Sequence, residues 1–155
     1  MNPIAPNSDV RNIVVEDTFA HAPEVVWKAL TTGALIGRWL MEPKGFEPVE
    51  GKEFTFQTTP AGEWDGVIHC RVLEVVPNES IAYSWKGGHA GNVGYGSLLD
   101  TVVTWTLTRT TDGTRLRLVH SGFVTPKNDT ALNKMGDGWK KVVPSIGVIV
   151  KEISQ

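Results

Sequence analysis

The chain has 155 residues and a formal net charge of -2, from 15 Lys and Arg against 17 Asp and Glu with no basic run, which excludes the electrostatic footprint of a nucleic-acid binder. A chain of this length suits one domain and buries roughly 68–70% of the surface exposed by its unfolded form, enough for a core without staples. Its single cysteine, Cys70, excludes an intramolecular disulfide and favours a reducing, cytoplasmic setting, while no apolar run approaches the ~18 residues of a membrane helix.

Met1 to Arg11 is polar and proline-containing, lacks the apolar stretch of a signal peptide, and reads as a loose tail before a single domain over residues 12–155. Asn12 to Ala20 is rich in β-branched residues and predicts a strand. Ile13, Val15 and Phe19 share one face, which Asp17 interrupts. The period then changes. Pro23 follows Ala22 where a first helical turn tolerates proline, and Val26, Trp27 and Leu30 recur at helical spacing. Thr31-Thr32-Gly33 breaks that helix, and a second short one is predicted from Ala34 to Leu40, before Pro43.

Strand periodicity returns after Gly51. Phe54 and Phe56 share a face within Glu53 to Thr58. Trp64 to Val76 reads as one long strand, with Ile68, Cys70 and Val72 on one side and His69, Arg71 and Leu73 on the other. Ser80 to Trp85 alternates, with Ile81, Tyr83 and Trp85 on one face. The segment from Lys86 to Leu99 holds five glycines and no Gly-Lys-Ser/Thr ending, so it is either a lid over a cavity or a plain flexible connection. Thr101 to Arg109 places Val103, Trp105 and Leu107 against Thr104, Thr106 and Thr108; Asp112-Gly113 makes a hairpin turn, and Arg115 to Ser121 returns with Leu116, Leu118 and His120 on one face. One-sided alternation fits an antiparallel sheet with one covered face. From Asn133 to Ile153, Trp139, Val142, Val143, Ile146, Val150 and Ile153 recur every three or four residues, which predicts a helix, kinked or frayed near Pro144 and weakened by Gly147. Helices segregated on one side of an antiparallel sheet make an α+β domain.

The order of elements, together with Ala22-Pro23 through Val26-Trp27, Arg38-Trp39-Leu40, Val72-Leu73-Glu74-Val75-Val76-Pro77, Ile81-Ala82-Tyr83-Ser84-Trp85, His120-Ser121-Gly122-Phe123 and Gly138-Trp139, resembles the START-related helix-grip (SRPBCC) superfamily. Within it, the strings resemble the family homologous to the activator of the heat-shock-protein-90 ATPase. The resemblance implies a curved antiparallel sheet wrapped around a long C-terminal helix, two short helices after the first strand, and between sheet and helix a cavity for apolar molecules. It supplies no catalytic motif.

On that fold Phe54, Phe56, Tyr83, Trp85, Trp105, Leu116, Leu118, His120, Trp139, Val143 and Ile146 would converge, either lining a cavity for a flat apolar ligand or filling the space altogether. His120 is a hydrogen-bonded core residue or a group that orients a ligand; no partner acid marks it as a general base. Buried Cys70 is expected to act as a small hydrophobe, and Arg38 to close a salt bridge at the helix pair. No C-x-x-C, H-E-x-x-H or G-x-S-x-G occurs, so neither a metal nor a cofactor is expected. The expected function is non-catalytic binding of a small hydrophobic or aromatic molecule for transport, sensing or sequestration. The alternatives are a chaperone-interacting module and a cyclase-like or hydrolase-like enzyme using the same cavity. Asn78-Glu79-Ser80 and Asn128-Asp129-Thr130 match the glycosylation triplet by chance.

Overall fold

The computed structural model describes residues 9–155. The predicted tail over Met1 to Ser8 lies outside the described residues, and Asp9 to Arg11, expected in that tail, belong to the first strand instead. In chain order the elements are β1 (Asp9–Phe19), α1 (Pro23–Thr31), α2 (Gly33–Trp39), β2 (Glu53–Gln57), β3 (Val67–Val76), β4 (Ser80–Gly87), β5 (Leu99–Arg109), β6 (Thr114–Thr125) and α3 (Asp129–Ile153). The strands form one antiparallel sheet in the order β1-β6-β5-β4-β3-β2, with β1 and β2 at its edges.

Alternation sets the covered face. Trp105 pairs with Ile81 on one side and Leu118 on the other, and all three are buried. Asp17 does sit on the inward face of β1, opposite Leu116, but only part-buried, and its carboxylate accepts from the Thr18 N–H. Two bulges bend the sheet, as bulges do. One skips Leu73 in β3 and leaves the Arg71 N–H to be taken by the Ser84 hydroxyl at 2.9 Å. The other falls at Gly122, passed over between Ser121 and Phe123 in the pairing with β1 and holding φ 103, a conformation that favours glycine. The predicted end of β6 at Ser121 was therefore a bulge, and the strand runs on to Thr125.

The helices cover the concave side. Pro23 opens α1 at a first-turn position, and the Trp39 indole N–H donates to the Ala29 carbonyl at 3.0 Å, tying α2 to α1. Arg38, expected to close a salt bridge at the pair of short helices, pairs instead with Glu152 of α3; both side chains are about half exposed, so the pair contributes little to stability. The α3 helix is continuous through Pro144, which lies on its exposed face. Gly147 is a contact point: a Cβ there would come within 2.9 Å of the Phe19 ring, so its bareness lets β1 lie against the helix backbone. The result is the helix-grip arrangement, with Trp139, Val143, Ile146 and Val150 of α3 buried in one continuous core with the sheet.

Candidate functional site

An apolar cavity of about 250 Å³ opens between the sheet and the N-terminal half of α3. That is slightly below the roughly 300–1,000 Å³ of drug-sized ligand pockets and suits two or three fused rings. Its wall combines Trp85 and Ile68 from the sheet, Leu40 and Met41 after α2, Trp64, the loop residues Tyr95 to Ser97, and one face of α3. Among the described residues, Lys134, on the exposed side of α3, is the only charged side chain in that wall.

The structure buries all eleven of the residues expected to converge, at two depths. Trp85 and Trp139 line the cavity, their ring centroids 5.9 Å apart and nearly edge to face. Phe54, Phe56, Tyr83, Trp105, Leu116, Leu118, His120, Val143 and Ile146 are buried behind them as packed core and are not part of the wall. Phe54 makes edge contacts with both Phe56 and Tyr83, and Trp105 stands edge-on to both Trp39 and Trp139. The lining residues that strand alternation did not reveal include Leu40, Met41, Trp64, Tyr95, Leu99 and Met135.

Several lie in irregular segments held by specific hydrogen bonds. The predicted strand from Trp64 begins only at Val67; Trp64 sits in a tight turn and its indole N–H donates to the Val67 carbonyl at 3.0 Å. Asn92 joins the two loops at the rim, donating to the Ala61 carbonyl at 2.7 Å and accepting from the Glu63 N–H at 3.2 Å. The Tyr95 hydroxyl adds a bond to the Thr59 carbonyl at 2.9 Å. The glycine-rich segment is thus part of the cavity wall and braced against its neighbour. Buried Asn128 anchors its end: Nδ2 donates to Ser97 Oγ at 3.1 Å and to the Leu98 carbonyl at 3.0 Å.

His120 is fully buried and both of its ring nitrogens are occupied. Trp139 Nε1 donates to His120 Nδ1 at 3.1 Å. The Thr101 hydroxyl donates its one proton to the Trp85 carbonyl at 2.7 Å, so at 2.8 Å from His120 Nε2 it must accept. The chain of donors fixes the tautomer with the proton on Nε2 and holds the Trp139 ring that forms the cavity wall. Burial pulls the imidazole pKa down to about 3 from an ordinary 6.5. Below pH 6.5 the unfolded chain takes up a proton that the native state refuses until about pH 3. The contribution of this residue to stability is therefore complete above pH 6.5 and lost as the pH falls towards 3, by up to ~1.4 kcal/mol per pH unit. Urea midpoints between about pH 7.5 and about pH 4 should show that slope, and His120→Asn should flatten it. Burial also pushes the Cys70 thiol and the Tyr83 phenol well above their ordinary ranges, so neither ionises near neutral pH.

Among the described residues there is no group of three or more His, Cys, Asp and Glu able to hold a metal ion, and no helix long and apolar enough to cross a membrane.

A family profile described as Activator of Hsp90 ATPase homolog 1-like protein matches residues 20–151. The chain belongs to that family. As a member of the Hsp90-ATPase-activator-like family it has well-matched solved relatives. MLL2253 from Mesorhizobium loti is 36% identical with a TM-score of 0.79, over 92% of this chain and 98% of that one. CalU16 from Micromonospora echinospora is 25% identical with a TM-score of 0.70, over 94% of this chain and 80% of that one. BH1534 from Bacillus halodurans, 23% identical with a TM-score of 0.70 over 90% and 96% of the two chains, shares the fold. No curated protein matches the chain.

Proposed function

We propose that the protein binds a small, flat, apolar molecule in the cavity between the sheet and α3, as a carrier, sensor or sequestering protein. The observation that carries this reading is the pair of indole rings, Trp85 and Trp139, set nearly edge to face and bordering an unfilled apolar space in an otherwise closely packed core. Binding is favoured over catalysis by the make-up of the wall. Among the described residues Lys134 is its one charged side chain, and His120 behind it is neutral with both nitrogens occupied. The family also carries a chaperone-docking reading in its name, for which the exposed Val93, Tyr95 and Leu98 at the rim are the contact residues to examine.

Titration with flavonoids, fatty acids and polycyclic aromatics tests the proposal. At least one compound should bind with micromolar affinity, on the order of -8 kcal/mol. It should quench tryptophan fluorescence saturably and raise the melting temperature, since about 100 Kd of ligand adds ~2.7 kcal/mol to native stability. A broad panel without a binder would sink the cavity reading and leave chaperone docking in its place.

A further inference from the structure

Most of the polar groups in the cavity wall are already engaged within the protein. The Tyr95 hydroxyl donates to the Thr59 carbonyl at 2.9 Å, and Ser97 accepts from Asn128 at 3.1 Å. The indole N–H groups of Trp64 and Trp139 have protein acceptors too. Lys134 differs from all of these. Among the described residues no Asp or Glu lines the wall, and Lys134 enters no ion pair. It stands at the flank of the cavity-facing stripe of α3, three residues after Ala131 and four before Gly138, both also in the wall. These small neighbours leave room for its methylene stem along the apolar rim. The residue is exposed, so the ammonium stays in water while the stem covers apolar surface. An apolar cavity thus has one cation at its mouth, with no carboxylate beside it in the wall.

An anionic group carried into the apolar interior would lose its hydration with no partner to replace it. Held at the mouth beside Lys134, the same group keeps its water and gains an opposite charge while its rings enter. We propose that Lys134 is the specificity-determining residue of this site, and that the ligand is a flat apolar molecule with one anionic group at its end. The proposal rests on the cavity-binding reading and names the class of molecule that the cavity takes.

Pairs of nearly equal shape test it: naphthalene-2-sulfonate with the neutral naphthalene-2-sulfonamide, and the two corresponding anthracenes. They are titrated calorimetrically at neutral pH and low salt into the wild-type protein, Lys134→Gln, Lys134→Glu and Lys140→Glu. The quantity read is the anion-to-neutral affinity ratio, in which changes in apolar contact or in the folded fraction cancel. The ratio should fall roughly two- to fivefold in Lys134→Gln, the range of an exposed ion pair, and further in Lys134→Glu. In 1 M salt, where the screening length is ~3 Å, the wild-type ratio should fall towards that of Lys134→Gln. Lys140→Glu makes the same change of net charge at an exposed position of α3 outside the wall, and should leave the ratio near that of wild type. A Lys134→Glu ratio within about 1.5-fold of wild type, or an equal fall in Lys140→Glu, would overturn the proposal while leaving cavity binding intact. If neither member of either pair binds the wild-type protein while other apolar compounds do, the anionic class is likewise overturned. Failure of the whole panel removes the cavity reading and this proposal together.

Discussion

Trp105→Ala is expected to destabilise the protein by about 3–5 kcal/mol, the range for truncating a large aromatic in a closed core. Trp105 has no solvent exposure. It stands edge-on to Trp39 at 5.5 Å and to Trp139 at 5.7 Å, so it is the point where β5 meets both α2 and α3. Its N–H donates to the Tyr83 hydroxyl at 2.9 Å, and the truncation would strip that buried oxygen of its donor. Urea denaturation at neutral pH measures the effect. Trp105→Phe should fall between wild type and alanine, since it keeps an aromatic contact and loses only the hydrogen bond and part of the volume. A loss below about 1 kcal/mol for the alanine variant would mean that neighbouring rings collapse into the space, and that the core is far more plastic than close packing implies.

Gly138→Leu should abolish ligand binding without weakening the fold. Gly138 lines the cavity from α3, and a Cβ built there meets no atom within 4 Å. Glycine within a helix costs roughly 0.8–1 kcal/mol relative to alanine, so any straight side chain improves the helix itself. A leucine at this position projects into apolar space that the ligand is proposed to use. Affinity for the best compound should fall at least tenfold while the melting temperature holds or rises. Gly136→Leu is the control: it is also free of neighbours within 4 Å, but it is not part of the wall. Equal affinities for wild type, Gly138→Leu and Gly136→Leu would place the ligand elsewhere.

Every main element was legible in the sequence because each has one dominant period. The threonines alternating with Val103, Trp105 and Leu107 mark β5, and the recurrence of Trp139, Val143, Ile146 and Val150 marks α3 even across Pro144. Period two says which side of a strand is covered, and says nothing about depth. Phe54, Phe56 and Tyr83 therefore looked the same as Trp85, although they fill the core and Trp85 borders empty space. Trp64 and Tyr95 come from loops whose shape depends on hydrogen bonds between distant residues, such as those of Asn92, and no local pattern encodes them. One signal was present and went unread. Ala131, Met135, Gly138 and Val142 recur at helical spacing on one face of α3, and two of the four are small. A run of small side chains opposite bulky sheet residues is how a helix leaves room beside itself.

The contact between Phe19 and Gly147 has a consequence for how the molecule reaches its native state. Among the described strands β1 pairs only with β6, and its last residue also rests on α3, so β1 has no strand partner until synthesis has passed β6, about a hundred residues later. Joining such distant segments carries a loop-closure entropy that grows as (3/2)RT ln n, and the compensating contacts arrive only once the segments are joined. The edge of the sheet is thus a late event. A nascent chain released before β6 and α3 would expose the β1 backbone, which is the state in which unpaired strands find the wrong neighbour.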